Sequence, residues 1–422
     1  MSDSQGLEAF GGRYDPASIL PSELLGAILL RVCDGRPQTI RTLMLVSRAW
    51  HSFVCEEPQV WATIIIDDFL RYHLGGSASY NLQSRRERTL RFIECCISRS
   101  KSALLDITLD WDGDDHEGAA YDQETAKELI LRLIGENGEH GKRWRSLTWV
   151  EDFGNETTLW DFAGLLPPIM PNLRQLRLFG LTWNPWDETG WSNKTILPFP
   201  RCPALRDLEL VQFKGRDPQD PILSHIDDGS LSMLTYEAAH YWELHDLARL
   251  NTFSALQTLT IRTGWPIGLL EGGGEMLNTC HLEVVEISDP SKLPPVHLPN
   301  LRTLCLALRD RPHMSTLVLS LLRAPRLENL KFWLCDWSRG PYTSDFSKFA
   351  DCAGDLLLQA KLIRLDTDYD PCHKLENDLV YFLERAHSLR KLLLCPPLAA
   401  LVGRRLEDER KKAGWSFSVC TS

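Results

Sequence analysis

The sequence predicts an α/β repeat protein: an N-terminal three-helix block, then an irregular solenoid with an inner parallel sheet and outer helices. Three observations predict it. An apolar phase L-x-x-L-x-L recurs many times after residue 100. Its last two apolar positions alternate with one polar residue, which is strand periodicity, and stretches long enough for a short helix follow. Residues before about 65 lack this phase and show helical spacing.

Residues 1–15 read as a flexible N-terminus with neither a basic region nor an apolar core, so no secretory signal is expected. The helical block is expected over 16–65. Asp15, Pro16 and Ser18 are turn or cap residues, and Pro21 suits a helix start. Leu24, Leu25, Ile28 and Leu29 follow as an apolar helical stripe. "DGRPQ" (Asp34–Gln38) breaks that helix. A second helix carries Ile40, Leu43, Met44 and Val46, and Ser47 is placed to cap a third with Trp50, Phe53 and Val54. Pro58 and Trp61 close the block. So short a piece buries little surface alone and calls for a partner or a neighbouring domain. Residues 66–100 are expected as a helical linker, and 101–422 as the solenoid.

In the solenoid the first apolar position of each copy falls at 104, 144, 173, 205, 231, 256, 282, 301, 327, 362 and 389. The clearest copies are "PNLRQLRLFGL", "PALRDLELVQF", "PNLRTLCLALR" and "PRLENLKFWLC", starting at Pro171, Pro203, Pro299 and Pro325. The spacing centres on about 26 residues, inside the roughly 20–29 of a leucine-rich repeat. Helices are expected after the strands, as in "HMSTLVLSLLRA" (His313–Ala324) and "ENDLVYFLERA" (Glu376–Ala386). A strand-plus-helix unit cannot bury its apolar face alone, so the units stack. From about residue 100 the chain resembles leucine-rich-repeat proteins. The Asn position of the tidier families is mostly missing, so the turns need another means of support.

The N-terminal block resembles an F-box. The matching residues are Leu20-Pro21, Glu23-Leu24-Leu25 with Ile28-Leu29, "LMLVSRAW" with Val46, Ser47, Arg48 and Trp50, and Pro58-x-x-Trp61. An F-box ahead of irregular leucine-rich repeats is similar to the fungal F-box families. The resemblance implies a substrate receptor of a cullin–RING (SCF-type) ubiquitin ligase, docked on a Skp-type adaptor and through it on a cullin. By position match the adaptor contacts would be Leu20, Pro21, Leu24, Leu25, Ile28, Val46 and Trp50, as in helix-in-groove recognition. Two other readings stay open: a scaffold that uses the F-box–adaptor pair outside a ligase, and a degenerate F-box that only caps the solenoid.

Composition agrees with a protein-binding role. Net charge is −11, against a phosphate-backbone ligand, so no nucleic acid is expected. No apolar run approaches the roughly 20 residues of a membrane span. The 12 cysteines are scattered without CxxC spacing and read as reduced thiols of an intracellular protein, in cytoplasm or nucleus. No GxSxG, P-loop or HExxH occurs. "DWDGDDHEG" (Asp110–Gly118) fails calcium-loop spacing. "LLEGGGEML" (Leu269–Leu277) lacks a dinucleotide fingerprint, and His240 and His245 suit no metal site. No enzyme activity, cofactor or metal is expected. Substrate contacts are expected on the solvent face of the sheet, along the row Thr148, Arg177, Glu209, Thr235, Thr260, Glu286, Cys305, Lys331 and Asp366 and the next row two residues on. The candidates are Arg177, Phe179, Val211, Arg262, Lys331 and Trp333. The tryptophan-rich segment Leu181–Trp191 is expected either to cover Phe179, Val211 and Trp333 or to bind.

Overall fold

Alternation of buried and exposed residues turns the repeat copies into strands, and the computed structural model carries them in one long parallel sheet. It describes residues 20–66, 79–110, 123–150, 164–179, 200–213, 230–238, 250–263, 295–308, 319–334, 351, 353–367, 373–413 and 417–421. The architecture is α/β, and it divides within one strand into compact units of residues 1–145 and 146–422.

The first unit holds α1 (Ser22–Val32), α2 (Pro37–Val46) and α3 (Arg48–Glu56). A 3-10 turn, Pro58–Trp61, leads into β1 (Thr63–Ile66). Then come α4 (Ser79–Arg99), β2 (Leu105–Asp110) and α5 (Gln123–Ile134). β1 pairs in parallel with β2. Trp61 is buried and donates its indole N–H to the Val54 carbonyl at 2.6 Å, while the Arg99 guanidinium lies 4.7 Å from its ring centre. Arg86 of α4 donates to Glu128 of α5 at 2.8 Å. Arg143 reaches back to Ser100 Oγ at 2.7 Å and the Ala103 carbonyl at 2.9 Å. These ties make the helical block part of a larger body, as its small size requires. The loop between α1 and α2 is pinned at Gly35, where φ is +79° and an added Cβ would stand 2.6 Å from Thr63.

The second unit contains the remainder of β3 (Trp144–Val150), then β4 (Gln175–Phe179), β5 (Asp207–Phe213), β6 (Met233–Ala238) and β7 (Thr258–Thr263). Beyond them lie β9 (Thr303–Leu308), β11 (Asn329–Leu334), β12 (Leu362–Thr367), β13 (Lys391–Leu394) and β14 (Ser418–Thr421). They lie side by side in that order, all parallel. β8 (Val296–His297) and β10 (Leu322–Arg323) form a separate two-residue parallel pair. The described residues include the helices α6 (Gly354–Leu357), α7 (His373–Glu384) and α8 (Pro396–Ala413). α7 packs on the buried face of the sheet, where Phe382 meets Phe332 edge to face at 5.6 Å.

Two backbone devices support the turns that lead into the strands. A buried residue three before the first leucine accepts that leucine's N–H, as Cys202 does from Leu205 (3.0 Å) and Leu298 from Leu301 (3.2 Å). Proline follows it at Pro171, Pro203, Pro299 and Pro325, where its fixed φ suits the second position of a turn. Immediately before each strand, one carbonyl accepts two N–H groups of the next repeat. Arg174 takes Arg206 (2.9 Å) and Asp207 (3.0 Å), and Arg206, Ser232, Gln257, Arg302, Glu328 and Lys361 continue the ladder. It sets register and satisfies backbone groups that would otherwise be orphaned.

Several expectations change. The copy at Leu282 lies outside the described residues, and β7 pairs directly with β9. The copy at 362 is out of phase: Ile363 and Leu365 are its buried strand residues, so Arg364 stands beside Lys331 and Asp366 beside Trp333. The helix expected to run to Ala324 instead meets β10, because Leu322 and Arg323 pair with β8. The glycine-rich segment, His240 and His245, Leu181–Trp191, residues 1–15 and all but Asp110 of the acidic run lie outside the described residues.

Candidate docking surfaces

α1 presents two apolar stripes, because Leu24-Leu25 and Ile28-Leu29 are adjacent pairs four residues apart. One stripe is core: Leu25 is 5% exposed and Leu29 fully buried. The other is wet: Leu24 is 53% exposed and Ile28 41%. α1 approaches α3 at Gly26, where an added Cβ would come within 3.0 Å of the Phe53 ring. α2 begins at Pro37, buries Ile40 and Leu43, and leaves Val46 54% and Leu45 75% exposed at its end. The Ser47 hydroxyl accepts the Trp50 N–H at 3.3 Å and caps α3. Six of the eleven exposed large apolar side chains among the described residues fall between 24 and 46: Leu24, Ile28, Leu30, Val32, Leu45 and Val46.

Of the expected adaptor contacts, Pro21, Leu24, Ile28 and Val46 are exposed, and Leu20 and Trp50 are half-buried. The Trp50 indole nitrogen is buried without a hydrogen-bond partner. Leu25 differs from the expectation. It packs the block and is not accessible, because the helix turns it toward the interior beside Leu29.

On the sheet of the second unit, Thr148, Arg177, Glu209, Thr235, Thr260, Cys305, Lys331 and Arg364 stand in register as one row. Arg177 lies 3.3 Å from Glu209 across neighbouring strands. Arg364 donates to Asp366 at 2.5 Å, two residues along its own strand. Lys331 is exposed, and Phe179 and Val211 are half-buried. The side chains of Arg262 and Trp333 lie outside the described set, though their backbones pair within β7 and β11. Along the row Arg177 with Glu209 and Lys331 with Arg364 flank a small polar middle at Thr235, Thr260 and Cys305.

Among the described residues there is no group of three or more His, Cys, Asp or Glu able to hold a metal ion, and no helix long and apolar enough to cross a membrane. Burial, with help from Cys95 and Cys33, pushes the Cys96 thiol well above the ordinary thiol value. Sequence reasoning missed α8, β14 and the carbonyl ladder. The apolar-Pro pair at Pro171, Pro203, Pro299 and Pro325 signals the turn before the strand, not the ladder.

No protein-family model matches the chain, and no curated protein matches it. Among solved structures, a protein from Bacteroides fragilis aligns at 10% identity over 77% of this chain and 76% of its own, with a TM-score of 0.31, which carries no argument.

Proposed function

We propose that this chain is a substrate-recognition adaptor of a cullin–RING ubiquitin ligase. Its three-helix block docks as an F-box on a Skp-type adaptor, and its leucine-rich-repeat sheet holds a protein substrate. The observation that carries the reading is the exposed apolar set Leu24, Ile28 and Val46, at positions that match F-box docking residues. Burying one such side chain contributes about 1.5–3 kcal/mol. Each is already about half covered, so completing the burial of all three contributes only part of the roughly 8 kcal/mol behind micromolar affinity. Such a receptor does no chemistry itself. It acts by proximity, fixing one end in the ligase while the other brings a substrate lysine near a charged ubiquitin-conjugating enzyme. A block that merely capped the repeats would have no use for exposed leucine and isoleucine on α1, so the capping alternative is the weaker one.

The test is co-purification of the Skp-type adaptor with the wild-type chain and with a Leu24→Asp/Ile28→Asp variant. Both side chains are exposed, so the variant keeps its fold. Retention by wild type and at least a hundredfold loss in the variant are expected. Equal retention by both removes this face as the docking site.

A further inference from the structure

The residues whose carbonyls build the ladder carry a second pattern in their side chains. In strand order they are Arg174, Arg206, Ser232, Gln257, Arg302, Glu328, Lys361 and Arg390, where the Arg390 carbonyl accepts from Ser418 (3.0 Å). Five are cations and one is an acid. All five cations are exposed. The ladder places each immediately before its strand, so they line one edge of the sheet at strand spacing, roughly 4.8 Å per step. From Arg174 to Arg390 the stripe covers about 34 Å. Arg174, Arg206 and Arg390 have no acidic partner among the described residues. Lys361 is paired with Glu328 at 2.9 Å. Exposed Arg326 and Lys391 lie beside the stripe. This sits in a chain of net charge −11, so the positive charge is segregated.

We infer that this strand edge of the second unit is a docking track for an acidic, extended stretch of a partner polypeptide. Arg174 and Arg206 stand on neighbouring strands and repel one another, Arg302 and Lys361 share the single Glu328, and an anionic partner relieves this excess of positive charge and is steered in by it. A polypeptide fits better than a nucleic acid for two reasons. The stripe is interrupted by Glu328 and by the neutral Ser232 and Gln257, which suits a chain of mixed composition and not a uniform polyphosphate. The overall negative charge repels a long polyanion but not a short acidic segment confined to the stripe. An extended chain advances about 3.3 Å per residue, so about ten residues span the track. Calling that segment the substrate rests on the function proposed above; the binding itself does not.

The test uses the full chain and a fluorescent ten-residue polyglutamate peptide, with a neutral Gly-Ser decapeptide and a ten-nucleotide oligothymidylate as comparisons. The acidic peptide is expected to bind, to weaken steeply as salt rises, and to lose at least tenfold in affinity in an Arg206→Glu/Arg302→Glu variant. A milder Arg174→Gln/Arg390→Gln variant, at the ends of the track, is expected to lose severalfold. The Leu24→Asp/Ile28→Asp variant is expected to bind the peptide like wild type, which separates this inference from the adaptor reading. Binding unchanged by either charge substitution, equal binding of the neutral peptide, or tighter binding of the oligothymidylate overturns it.

Discussion

Single residues decide which side of α1 does what. Leu24 and Leu25 are neighbours in sequence, yet one is half in water and the other in the core. Leu25→Asp is expected to unfold the block, because a buried unpaired charge costs several kcal/mol, whereas Leu24→Asp is expected to leave the melting temperature almost unchanged. Gly35→Ala is expected to destabilise by about 1–3 kcal/mol, since its positive φ and the 2.6 Å approach to Thr63 both exclude a side chain. Ser47→Ala removes the cap of α3, at about 1 kcal/mol. Thermal unfolding reads all of these. The raised Cys96 thiol gives a pH dependence of definite sign. The folded chain holds that proton after the unfolded chain has released it. Stability is therefore intact below the ordinary thiol value and falls as pH rises through it. Native protein treated with iodoacetamide near pH 8 should keep Cys96 unmodified when digested and weighed.

At the scale of the element, the repeat strand was legible because its signal is burial, and burial repeats. Leu176, Leu208, Leu234, Leu259, Leu304 and Leu330 are all buried. The same alternation predicts that Leu234→Lys collapses the sheet while Thr235→Lys, one residue on, is tolerated; soluble yield and circular dichroism distinguish them. The copy at 362 breaks the phase because leucine there occupies an outward position and Ile363 the inward one. A leucine count cannot separate two phases when both carry apolar residues, whereas strand register can. α8 is not legible in the repeat pattern because its sequence, "PPLAALVGRRLEDERKKA", has no copy elsewhere in the chain. The carbonyl ladder escaped because it is made by backbone, which the side-chain pattern only frames.

For the whole molecule, the sequence separates an N-terminal helical block from a repeat sheet, and the two compact units keep that order, with the first extending to Arg145. The extension has a physical cause. Three short helices close little core by themselves, and Trp61 under the Arg99 guanidinium ties the block to α4. What the sequence alone could not separate was core from surface within the block, since both stripes of α1 are equally apolar. The central claim is that the surface stripe is a docking face. Titration of purified Skp-type adaptor into the folded chain, followed by heat release, tests it most directly. The account predicts micromolar or tighter one-to-one binding by wild type, weakened at least a hundredfold by Leu24→Asp/Ile28→Asp with unfolding temperature unchanged. No binding by folded wild-type protein at tens of micromolar, or equal binding by the variant, would contradict it.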